Sequence, residues 1–231
     1  MGDSQVVKTW LAKQQFQRQL KQLKRSRIAD WYSPPEITSP HFSDNDFLVL
    51  DFETTGLNTK KDKVLSAGFT TLKKGRIKLG ESAHFYIRHT DSIADETVAI
   101  HHITEQEAAQ GQPIQEIFPK LLQALDNKIL VAHFADIEVG FLNQIAKSLY
   151  GTALPIYVVD TLQIAFQMKY KELTHVPSNA LNLFSLRAQY GLPRYKAHNA
   201  MIDAVSTAEL LLVQTDELGK QATVKQLLSM S

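Results

Sequence analysis

The sequence predicts an α/β domain, a mixed central sheet with helices on both faces, preceded by a basic helix. Three observations lead there. Strand-like apolar runs come first, at Phe47–Asp51, Val64–Leu72 and Ile77–Arg88. Helical and strand patterns then alternate to about Leu218, and no repeat or low-complexity tract breaks the order. Strands in series followed by helix-strand alternation require antiparallel and parallel pairs in one sheet, with helices covering it.

Taken in chain order, residues 5–29 lack Gly and Pro and place Phe16, Leu20 and Leu23 at helical spacing among Lys and Arg. That pattern predicts a basic amphipathic helix. The stretch Tyr32–His41 contains Pro34-Pro35 and Pro40 and reads as a linker, because paired prolines cannot continue a helix. The division expected is therefore helix and linker over 1–42, a domain over 43–220 and a tail over 221–231. Phe47–Asp51 is a buried strand, and the turn Lys73–Arg76 joins the next two. Thr104-Glu-Gln-Glu107 has the form of a capping box. After Pro113, the residues Ile114, Ile117, Phe118, Leu121, Leu122 and Leu125 share one helical face. A strand at Ile129–Ala132, a helix over Glu138–Leu149, a strand at Ile156–Val159 and a helix from Thr161 follow. Leu181-Asn-Leu-Phe184 reads as a core helix. The last helix, Ala200–Leu218, turns Ala204, Val205, Ala208, Leu211 and Leu212 inward.

Composition narrows the chemistry. An apolar fraction of 44% and a charged fraction of 21% belong to a globular chain. With no cysteine, disulfides, zinc-thiolate sites and cysteine nucleophiles are excluded, so a metal must sit on oxygen or imidazole. No apolar run approaches the ~20 residues of a membrane span, and the polar start has no apolar signal stretch. No membrane association is expected, and the cytoplasm is the expected location. The net charge of +1 hides an asymmetry: residues 1–30 hold seven Lys or Arg against two Asp, and the rest carries a net negative charge. The body thus has no global nucleic-acid signature, and the basic helix is a candidate for phosphate contacts or a protein partner.

Acids mark the strand ends. Asp51 and Glu53 are two apart on a strand, so both carboxylates project from one face. Hard divalent cations such as Mg²⁺ or Mn²⁺ prefer such oxygens, and Asp136, Glu138, Asp160 and Asp203 offer more of them at the starts of later elements. Thr54-Thr55-Gly56 adds a glycine turn whose backbone N–H groups can approach a bound nucleotide. Asp160 precedes Thr161 as a helix cap rather than as a ligand.

Three strings together resemble a known family. Asp51-Phe-Glu-Thr-Thr-Gly-Leu57 is similar to the first motif of the DEDDh exonucleases, the DnaQ-like superfamily of the proofreading epsilon subunit of bacterial DNA polymerase III. Val131-Ala-His-Phe-Ala-Asp-Ile-Glu-Val-Gly-Phe-Leu142 resembles the second, and His198-Asn-Ala-Met-Ile-Asp203 resembles the third. Order and spacing agree from Phe47 to Leu218. The resemblance implies a ribonuclease H-like fold and a two-metal-ion 3′–5′ exonuclease that releases nucleoside monophosphates. It implies Asp51, Glu53, Asp203 and a middle-motif acid as ligands of two Mg²⁺ or Mn²⁺ ions, and His198 as general base. Thr54, Thr55, Gly56 and Leu57 would hold the terminal nucleotide, with His101 near the substrate. Two departures stand out: Glu138 where the family has Asp, and Phe134 where Asn is common. His102 also replaces a family glycine. In this register Glu138 is preferred to Asp136, which a helix turns ~200° away. Substrate remains open between DNA, with a single-stranded 3′ end favoured, and RNA trimmed at its 3′ end. A weakly active or inactive nucleic-acid or protein binding module is the alternative that Glu138 raises.

Overall fold

The computed structural model of the protein describes residues 2–89, 111–196, 198–219 and 222–231, with side chains from residue 13 onward. The capping box at Thr104–Glu107, together with His101 and His102, lies outside the described residues.

Five strands form one sheet: β1 (Phe47–Thr54), β2 (Val64–Lys73), β3 (Arg76–Tyr86), β4 (Ile129–Ala132) and β5 (Val158–Asp160), in the order β3-β2-β1-β4-β5. β1, β2 and β3 pair antiparallel, whereas β4 runs parallel to β1 and β5 parallel to β4. The sheet is therefore mixed, as the order of patterns predicted. Alternate residues of β1 enter two cores. Leu48, Leu50 and Phe52 face α2 (Ile114–Leu125) and α3 (Asp136–Tyr150), whose Ile117, Phe118, Leu121, Phe141 and Leu142 are buried with them. Phe47 and Val49 face α6 (Ala200–Glu217) and α7 (Val224–Met230), through Ala208, Leu211, Val224 and Leu227. The smaller helices are α4 (Thr161–Ala165), continued by a π-helical turn over Phe166–Tyr170, and α5 (Leu183–Gln189).

The structure differs from the expected elements mainly at their ends. The N-terminal helix, α1, spans Gly2–Leu23 rather than 5–29. Ser26 stops its continuation: its hydroxyl donates to the Leu23 carbonyl and accepts from Ile28 N–H, starting a separate 3₁₀ turn over Arg27–Asp30. The prolyl stretch after it is anchored at both ends. Tyr32 is buried and donates its hydroxyl proton to the Pro155 carbonyl (2.7 Å), and His41 forms a β-bridge with Thr223. Leu23, Ile28 and Tyr32 belong to the same core as β1 and α2. Asn182 caps α5 through Phe184 N–H, so only the last two residues of the Leu181–Phe184 string are helical. Residues 221–231 include α7, capped by Thr223, whose Val224 and Leu227 are fully buried.

Candidate active site

β1 pairs with β4 only from Phe47 to Val49, opposite Ile129 to Val131, and then runs on alone along that edge to Thr54. The opening lies at the carboxyl ends of two parallel strands, the usual location of sites in open α/β sheets. Asp51 and Glu53 lie on this unpaired stretch and point to the α6 face, in phase with Phe47 and Val49.

The third acid arrives because two backbones touch. Asp51 is directly opposite Gly68 on β2, and a Cβ built on Gly68 would lie 2.0 Å from the Met201 nitrogen and 2.1 Å from the Ala200 carbonyl carbon. Only a residue without a side chain lets the first turn of α6 lie this close to the sheet. Asp203 follows three residues after Ala200, on the buried stripe of α6, and so meets the β1 acids. One oxygen each of Asp51, Glu53 and Asp203 lies within 4.8 Å of the others, and this is the metal-capable group found among the described residues.

Glu138 enters from the first turn of α3 and is 4% exposed, whereas Asp136 is exposed to solvent. Glu138 stands next to the trio rather than within it: its charge acts on Asp51 ahead of those of Asp203 and Glu53. Crowded acids resist ionisation. Burial first, then the charges of Glu138, Asp203 and Glu53, holds Asp51 well above the ordinary carboxylate range. Burial pushes Glu138 up to about 8, opposed by hydrogen bonds from its own and the Phe52 backbone and reinforced by the charge of Asp160. Asp203 is pushed up to about 7 by burial, against the His198 N–H bond that favours its ionised form. Glu138 Oε2 and Asp203 Oδ1 are buried without a hydrogen-bond partner. Uncompensated acceptors among mutually repelling carboxylates suit a divalent cation, so the residues present fit the metal the resemblance implies.

His198 lies in the turn before α6, exposed, with a left-handed φ of 67°. Its backbone N–H donates to Asp203 Oδ2 (3.0 Å), and Asn199 caps the helix through Ile202 N–H (3.1 Å). The histidine is thus fixed at its backbone to an acid of the trio. Arg187 braces the same loop from α5: buried, it donates to the carbonyls of Pro193 (2.8 Å) and Ser206 (2.7 Å) and pairs with Glu209 (2.7 Å).

After β1 the chain folds back on itself. Thr54 is buried and bonds the Gly56 carbonyl, and Thr55 exchanges backbone and side-chain bonds with Lys63. Leu57 stands 69% exposed at the tip. Gly140 of α3 accepts this loop, since a Cβ there would lie 2.6 Å from Thr59 Cγ2. Asp160 is the helix cap expected, accepting from Leu162 and Gln163 N–H. The same carboxylate also takes Phe134 and Ala135 N–H (3.0 Å each) and so holds the entry to α3. Neither this clamp nor the contacts of Gly68, Gly140 and Arg187 were read from the sequence. All are long-range, and the isolated glycines at 68 and 140 were the signals that could have marked close backbone approach.

Comparison with known proteins closes the question of family. The profile of the RNase T family, described as exonuclease, matches residues 48–211, which span all the acids above and His198. The chain belongs to the RNase T exonuclease family. Among curated relatives of this exonuclease, the DNA polymerase III PolC-type of Clostridium perfringens strain 13 is 34% identical over 169 residues, 73% of this chain and 11% of that protein. The chain therefore spans only about a tenth of the length of such relatives. Exonuclease X in complex with 5′ overhanging duplex DNA superposes with a TM-score of 0.61 at 21% identity, over 80% of this chain and 98% of that one. The nuclease domain of 3′hExo, a DEDDh family member bound to rAMP, gives 0.62 at 13% identity, over 79% and 96%. At these identities the likeness establishes the ribonuclease H-like α/β fold. Among the described residues, no helix of the exonuclease is long and apolar enough to cross a membrane.

Proposed function

We propose that this exonuclease removes nucleoside monophosphates from the 3′ end of a nucleic acid, with single-stranded DNA as the favoured substrate. The observation that carries the reading is the meeting of Asp51, Glu53 and Asp203 within 4.8 Å, with His198 tied to Asp203 by its backbone. Asp51, Glu53, Asp203 and the adjacent Glu138 would hold two divalent cations of the Mg²⁺ or Mn²⁺ type. Bound there, such cations would supply positive charge for the attacking and leaving oxygens of a phosphodiester displacement.

The protein's own groups have separate tasks. His198 takes the proton of the attacking water on a ring nitrogen of its imidazole. His198 is exposed in its left-handed turn, and its backbone N–H steadies Asp203. The loop Thr54–Leu57 receives the terminal nucleotide by backbone contacts and the apolar face of Leu57. Preference for DNA is supported by relatives named as DNA polymerases and by a similar structure that holds duplex DNA; the rAMP-bound neighbour makes RNA the comparison to run. The test is turnover of DNA and RNA oligonucleotides of matched sequence with Mg²⁺ or Mn²⁺. Faster shortening of DNA is expected. Equal or faster shortening of RNA would reverse the substrate assignment, and binding without shortening of either would make the protein a binding module.

A further inference from the structure

Phe134 lies two residues past β4, at the carboxyl edge of the sheet that also carries Asp51 and Glu53. Its φ is 67°, a left-handed conformation that is strained for a bulky side chain and natural for Asn or Gly. The strain is held rather than relieved, since Asp160 accepts from both Phe134 and Ala135 N–H at 3.0 Å. The ring does not gain burial in exchange. It is 41% exposed, beside Val131 and Ala132, which are fully buried. An aromatic ring held open to solvent by a strained, anchored backbone adds little to folding, so its use lies at the surface.

That surface adjoins the site. Phe134 precedes α3, whose first turn carries Glu138 four residues later, and Gly140 then meets Thr59 of the loop that displays Leu57. Phe134 therefore stands just before the turn of α3 that carries Glu138, and the loop that displays Leu57 packs against the following turn. We propose that Phe134 stacks on the base of the nucleotide immediately 5′ of the terminal one. This rests on the reading above, in which Leu57 receives the terminal nucleotide of a strand cut from its 3′ end. Every base offers a π-face, so the contact would tighten binding without selecting sequence.

The test is a cycle of two changes in the full chain. Phe134→Asn removes the ring while placing a residue suited to φ 67°, and an oligodeoxynucleotide with an abasic penultimate position removes the base. Each change alone should raise KM by roughly 5- to 100-fold, with a much smaller effect on kcat. Together they should raise it little further, and Phe134→Trp should return KM close to wild type. The melting temperature of Phe134→Asn should equal or exceed that of wild type. In an active enzyme, multiplicative effects of the two changes, or an unchanged KM in Phe134→Asn, would overturn the stacking assignment alone. Wild-type protein that shortens neither DNA nor RNA would overturn the reading of the site and this assignment with it.

Discussion

Glu138 places the acid of the middle motif on a side chain one methylene longer than the family's Asp, at a buried position on the first turn of α3. Its carboxyl is stabilised by backbone groups but leaves Oε2 unpartnered, whereas Asp136 is solvated. Glu138→Ala should therefore reduce turnover by about a hundredfold or more and weaken its metal dependence, with Asp136→Ala within about threefold of wild type. Metal titration of turnover for the two variants decides it; the reverse outcome would move the ligand to Asp136. His198→Ala should lower kcat by ~10²–10⁴-fold and leave oligonucleotide binding nearly unchanged, as measured by parallel kinetics and binding, since the role proposed for its ring is proton transfer rather than ligation. Burial also sets a pH dependence. Glu138 and Asp203 are raised to about 8 and about 7 in the folded chain, so the fold retains protons that the unfolded chain releases near pH 4. The associated stability is complete below that lower value and is lost as pH rises through 7 to 8. Without metal, the protein should melt several degrees lower at pH 8.5 than at pH 6, and a melting temperature that rises over this interval in EDTA would contradict the burial argument.

Elements deliver these residues through backbone approach. Gly68→Ala would drive a methyl group into the α6 backbone, where no flexible side chain can yield. A cost of about 1–3 kcal/mol and a large loss of kcat are expected, because Asp203 would retreat from Asp51. Gly80→Ala, with open space at its Cβ, serves as the neutral control in melting and turnover measurements. Asp160→Asn should cost about 2–3 kcal/mol in denaturant unfolding, since one amide cannot accept all four N–H groups of Phe134, Ala135, Leu162 and Gln163. The strands and long helices were legible because their apolar periods are unbroken, as in Phe47–Leu50 and Ile114–Leu125. Asp51, Glu53 and Asp203 were legible as acids at strand and helix positions, and Asp160 as a cap. The left-handed turns at Phe134 and His198 were not, since neither residue announces positive φ, and the trio's closeness depends on Gly68, which lies on the neighbouring strand and in none of the three motifs.

On the scale of the whole molecule, charge and packing divide differently. Lys21, Lys24, Arg25 and Arg27 supply four of the seven cations of the N-terminal segment, yet Leu23, Ile28 and Tyr32 beside them are core residues. Deleting residues 1–40 would thus remove buried groups as well as cations. Charge reversal of exposed Lys21, Lys24 and Arg25 to Glu tests the phosphate-contact proposal without that loss. It should weaken DNA affinity and flatten its dependence on salt, whereas an unchanged salt slope would leave these cations as solvated surface charge. The carboxylate group and His198 are proposed to shorten a strand from its 3′ end with a divalent cation. The most direct measurement is a time course on 5′-labelled single-stranded DNA with Mg²⁺ and with excess EDTA. A ladder of progressively shorter labelled strands with Mg²⁺, and none in EDTA, is the predicted result. Labelled mononucleotide as the first product, or a ladder undiminished by EDTA, would contradict it.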